Sequence, residues 1–424
     1  MKSTLDCSGL VAKIALCSAM LVPATLACGG IGDDSRFDER TTSSTPKTRP
    51  TTSPPSLPPV PSTMVNPYLA SDVAILFPLP QANEQDLLIR PRANAEDLGA
   101  PVIRRDTFAR VLPSGSLDPV FPSGFDDVAV VAVRADTCYP LGSSGCQTEI
   151  RAVVQGLSLD PTTGSTSASD GALHITYSAR DSEVRGLAKL LHDERVAQGT
   201  KAEPLGVHPI LAAEGLNGPL AGKVRAFLAP VLVDSRITKI TVYDHDEDPG
   251  GHRWTFSVFT PIRGVLTKTP IPTTSSTFQV VEGPDPHVAL QTSFAKMNGA
   301  IASTTKDPVA KLVAFDRPEP GTAAALALTA TFESALRVEN PLLHNTRTTD
   351  CVNCHLAEGA RRVGASHYGL DPKTSKSFGN DPPHVDERSS VTNLHAFGYL
   401  GREVAIMRRT AIEATETATR LSKL

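Results

Sequence analysis

"VAVVAVRADTCYPLGSSGCQTEIRAVV", residues 128–154, sets two apolar runs on either side of a turn-rich heptapeptide, residues 139–145. Val128–Val133 and Glu149–Val154 read as two strands that fold back on each other. Cys138 and Cys146 then lie at the hairpin end, where a disulfide would staple it. Such a bond restricts the unfolded chain and suits an oxidising compartment; the alternative is two unrelated thiols. An antiparallel sheet is thus the expected organising element.

Further runs extend that sheet on both sides. Val73–Phe77, Ala172–Tyr177, Ile237–Tyr243 and Arg253–Phe259 all read as strands, and in the last Trp254, Phe256 and Val258 alternate with Thr255 and Ser257. A helix is expected over 181–198, with Val184, Leu187 and Leu191 as its apolar stripe, Asp181 or Ser182 as its cap and Gly199 as its stop. A second helical segment falls within 209–228. Strands arrive in adjacent groups without strict alternation with helices, so residues 65–282 read as a disulfide-bearing, mostly antiparallel α+β domain of unknown role. The acidic stretch Asp244–Asp248 lacks the ligand spacing of a calcium loop and reads as an exposed hairpin loop. His174, His192 and His208 stand without companion ligands and read as ordinary surface or core residues. No serine sits in a G-x-S-x-G elbow, and no phosphate-cradling glycine pattern occurs.

The N-terminus reads as an export signal. An apolar run, Ile14–Val22, follows Lys2 and Lys13, and its nine residues fall far short of the roughly 20 that cross a bilayer. Thr25-Leu26-Ala27-Cys28 with Gly29 behind it resembles the lipobox of bacterial lipoproteins. The resemblance implies a signal peptide over 1–27, a lipid on Cys28 and, with Gly after the cysteine, the outer membrane. Cleavage elsewhere would leave a soluble periplasmic or secreted protein. With Cys7 and Cys17 in the signal and Cys28 lipidated, Cys138 and Cys146 remain as a pair beside one motif further on. The 28–64 segment is a linker: all but four of residues 41–63 are Ser, Thr or Pro, a composition that builds no core and extends up to about 70 Å.

That motif is Cys351-Val-Asn-Cys354-His355. With this composition it would arise by chance roughly 0.003 times, so accident is set aside. In an exported chain, C-V-N-C-H resembles the haem-attachment site of c-type cytochromes. The resemblance implies thioether bonds from Cys351 and Cys354 to haem c and His355 as proximal ligand of the iron. A structural zinc site would need further ligands, and no second C-x-x-C or H-x₃₋₅-H follows. A thioredoxin-like dithiol should follow a strand, whereas Asn340-Pro341 and a polar loop precede Cys351. Helices expected over 321–338 and 402–421 would frame a small helical cytochrome c-like module, residues 321–424, joined to the sheet domain by a 283–320 connector. The second axial ligand stays open among Met407, His395, His344, His367, His384 and a vacant position; Met407 also fits the apolar stripe of the last helix.

A formal net charge of -4 offers no basic field for nucleic acid. The expected function is one-electron transfer by a lipid-anchored, extracytoplasmic monohaem cytochrome with a partner redox protein, a carrier more than a catalyst. The alternatives are a haem sensor or peroxidase-like enzyme with an open iron position, and a non-haem surface binding lipoprotein.

Overall fold

Alternating apolar side chains generate the sheet. Strands β1 (Ala74–Leu76), β2 (Val128–Tyr139), β3 (Gln147–Leu159), β4 (Thr166–Ser178), β5 (Ile237–Asp248) and β6 (Gly251–Ile262) pair antiparallel with their chain neighbours. At the edge, β7 (Val265–Thr269) pairs Val258–Ile262 of β6 and β8 (Phe278–Gly283) pairs His252–Ser257. The computed structural model describes residues 67–91, 101–112, 124–141, 145–201, 203–248, 251–283, 321–372 and 397–424. The signal stretch, Cys28, the linker, His384 and His395 lie outside the described residues. Cys138 and Cys146 are disulfide-bonded at the β2–β3 hairpin end.

The two faces of the sheet differ in chemistry because side chains alternate along each strand. Register pairs Ile150 with Tyr177, and across three strands sets Ala152, Ile175 and Ile240 in one row and Val154, Leu173 and Val242 in another, all buried. This apolar face shares a core with α2 (Asp181–Gln198), α3 (Pro209–Glu214) and α4 (Pro219–Leu228); α1 is the short helix Arg105–Val111. On the α2 side, Val184, Leu187 and Leu191 are buried, as their spacing requires. The α2 N-cap is Arg180, not Asp181 or Ser182: its N–H donates to Glu183 at 2.7 Å. Gly199 ends the helix at φ +65°, a left-handed turn that costs glycine little. The 209–228 segment divides at Gly215, leaving α3 and α4.

The other face is polar and aromatic, and the C-terminal part of the chain covers it. There lie α5 (Ala323–Glu339), α6 (Cys351–Tyr368), the hairpin β9 (Phe397–Leu400) with β10 (Glu403–Ile406), and α7 (Arg408–Ser422). The helix expected from 402 begins instead at Arg408, because Gly401 at φ +60° turns the chain between β9 and β10. Gly401 also exchanges hydrogen bonds with Ala168 at 2.7 and 3.0 Å, which ties the hairpin to β4. Ala411, Ala414, Ala418 and Leu421 of α7 join Ile75 and Val133 in one apolar cluster, so the sequence on either side of the 283–320 connector shares a core within the compact unit Ser62–Leu424. The acidic stretch Asp244–Asp248 completes β5 rather than forming a loop, and Asp248 pairs with Gly251 of β6.

Candidate functional site

Helix α6 starts where the motif starts. Asp350 is its N-cap, accepting from the Asn353 N–H at 2.9 Å while Asn353 Nδ2 donates to its other oxygen at 2.7 Å. Cys351, Cys354 and His355 stand at i, i+3 and i+4, so the first turns of the helix present all three on one face. That face looks onto a cavity of about 220 Å³ between the sheet and the C-terminal elements. Sequence periodicity had not identified α6.

Both thiols are free and both line this cavity. Burial pushes the Cys351 thiol up to about 12 and raises that of Cys354, so both stay protonated at neutral pH. A redox dithiol at a helix start depends on a lowered thiol pKa, and here burial outweighs the helix N-terminus. His355 is 6% exposed and packs among Phe256, Tyr243 and Trp254, whose ring centroids lie 5.2, 5.5 and 5.7 Å from its own. Val153, Val258 and Phe397 add apolar wall.

Of the open axial candidates, Met407 lines the same cavity. It is the N-cap residue of α7, 4% exposed, and sits ahead of the helix instead of on its stripe. Glu358 of α6 accepts the Arg408 N–H at 2.8 Å, which couples the start of α7 to the helix that carries His355. Glu339 of α5 reinforces this by pairing with Arg361 at 2.8 Å and Arg408 at 3.3 Å. His344 is not among the cavity-lining residues; its Nδ1 lies 3.2 Å from the Thr348 carbonyl and its own carbonyl accepts from Arg409 at 2.6 Å. His367 falls in α6. The sequence had treated His174 as an isolated histidine, yet it lies on the cavity floor. Its signal was the alternation of β4, which sends His174 and Thr176 to the polar face together.

The floor is a charged lattice. Arg134 pairs with Asp136 at 3.1 Å and with Glu413 of α7, Arg151 with Glu149 at 2.5 Å, and Arg409 with Glu413 at 3.1 Å. The Arg151 guanidinium also lies 3.3 Å from the Tyr139 ring centroid. Burial alone would raise the Glu413 carboxyl, but Arg134, Arg409 and Arg151 together hold it down at about 2. Among the described residues no group of three or more His, Cys, Asp or Glu is arranged to hold a bare metal ion, and no helix is long and apolar enough to cross a membrane. No protein-family model, curated protein or solved structure matches this chain.

Proposed function

We propose that the chain is an extracytoplasmic monohaem c-type cytochrome, anchored through lipid on Cys28, that exchanges single electrons with a redox partner protein. The observation that carries the reading is the convergence of both motif thiols, the motif imidazole and a thioether on one cavity with aromatic walls. This donor set fits haem c: Cys351 and Cys354 would hold it through thioether bonds, His355 would ligate the iron, and Met407, or else His174, would supply a second ligand. When bound, the group supplies a one-electron couple at iron. The residues around it supply the environment. Tyr243, Trp254 and Phe256 enclose the imidazole and keep water from it, while Glu358 and Glu339 fix the α7 start, and so Met407, against α6. Outer-sphere transfer needs no catalytic acid or base, and none is assigned.

The test is expression of the full chain with haem-maturation machinery, followed by denaturing electrophoresis and a haem stain. A stained band that disappears in Cys351→Ala plus Cys354→Ala is the expected result. A colourless product, or staining that survives the double substitution, contradicts the reading. Carbon monoxide binding to the reduced protein in the absence of denaturant would mark an open iron position and a sensor or enzyme instead of a carrier.

A further inference from the structure

Four cations line the cavity, three from the sheet and Arg409 from α7, and one of them makes no ion pair among the described residues. Arg134, Arg151 and Arg409 are matched by Asp136, Glu149 and Glu413. Lys239 lines the same cavity and makes no hydrogen bond or ion pair with the described residues; its charged neighbours Glu149, Cys351 and Glu413 act on it only through space. Burial, and then Arg151, push its ammonium below the usual lysine range. Arg151 has capacity left as well. Its Nη2 is buried and ion-paired with Asp136 at 3.5 Å but makes no hydrogen bond, and its Nη1 lies 3.8 Å from Glu413. Asp350 also lines the cavity; its two oxygens accept from Asn353, so it adds negative charge without pairing with Lys239.

The register of three adjacent strands sets these groups in a row: Arg151 of β3 is opposite Thr176 of β4, which is opposite Lys239 of β5. The two cations therefore stand two strand spacings apart, about 10 Å between backbones, with the threonine between them. All three line the cavity. We infer that Arg151, Thr176 and Lys239 form a cradle for one oxyanion of carboxylate or phosphate type. The guanidinium and the ammonium supply charge-assisted donors from either side, and the hydroxyl supplies a third donor from below. An anion there would give the half-buried Lys239 ammonium an ion-pair partner and give the Arg151 Nη2 a hydrogen-bond acceptor.

Two sources offer that chemistry: a carboxylate side arm of the haem, which rests on the function proposed above, and a free small anion entering the cavity. Wild type, Lys239→Met and Lys239→Arg separate them, since methionine keeps the apolar stem and arginine keeps the charge. In the haem-loaded chain the readout is the pH at which the midpoint potential changes slope. A neighbouring cation lowers a carboxylate pKa, so Lys239→Met should move that pH upward by about one to three units and Lys239→Arg should restore it. In the chain produced without haem, inorganic phosphate is titrated by calorimetry; saturable binding is expected, weakened about tenfold or more in Lys239→Met and in Thr176→Val. An unmoved pH profile with saturable phosphate binding overturns the haem side arm as occupant and assigns the cradle to a free anion. Absence of saturable phosphate binding in wild type together with an unmoved profile overturns the cradle itself. Should covalent haem never form, the proposed function falls while the phosphate titration still decides the cradle.

Discussion

Met407 and His208 show how burial gives a side chain a task that sequence spacing does not reveal. Met407 precedes α7, where its thioether reaches the cavity while the Arg408 N–H behind it is held by Glu358. Thioether ligation raises a haem potential, so Met407→Ala in the loaded protein is expected to lower the midpoint potential and alter the absorption bands, as measured by redox titration; an unchanged spectrum assigns the position to His174 or leaves it open. His208 is not among the residues that line the cavity. It is 2% exposed, both ring nitrogens lack hydrogen-bond partners, and it sits by the buried Asp72–Arg195 ion pair, which is 2.8 Å long. Burial first, and Arg195 after it, lower its pKa from 6.5 to about 4 despite the opposing pull of Asp72 and Glu214. A depressed folded pKa means that the unfolded chain binds the proton first. Stability from this group is therefore complete above pH 6.5 and falls as pH drops toward 4, by up to about 3 kcal/mol. Urea denaturation across that window should show the decline in wild type and a flatter curve in His208→Leu.

Among elements, α6 depends on its neighbours most. An added Cβ at Gly364 would come within 2.3 Å of the Phe332 ring of α5, so the close approach of these helices needs glycine there. Gly364→Ala is expected to cost about 1–3 kcal/mol by thermal denaturation, since the ring it meets is buried. The same dependence explains why α6 was illegible: Gly359 and Gly364 weaken its propensity, and its apolar residues Val352, Leu356, Ala357 and Ala360 are stabilised by Trp254 and Phe256 from the sheet. Strands β2 through β6 and helix α2 were readable because each is long enough to repeat its own period. Strands β9 and β10, at four residues each, are not. Of the candidate site, Cys351, Cys354 and His355 were legible because they are contiguous. Arg151, Thr176 and Lys239 were not, since only strand register brings them side by side.

Across the whole molecule, one sheet supports two different environments: an apolar face that holds the chain together and a polar face that forms the floor of a cavity. The Cys138–Cys146 bond closes a short loop where that polar floor begins, next to Tyr139 under Arg151. Replacing both cysteines with alanine should lower stability by about 2–3 kcal/mol in denaturant titrations, the chain-entropy value for a loop of this length. The same change should leave haem attachment intact, because neither sulfur lines the cavity. The central claim, that the motif at the start of α6 carries haem covalently, is tested most directly by mass spectrometry of protein matured with the haem-attachment machinery. The account predicts one haem added per chain, recovered on the peptide that contains Cys351 and Cys354. An unmodified peptide under those conditions contradicts it.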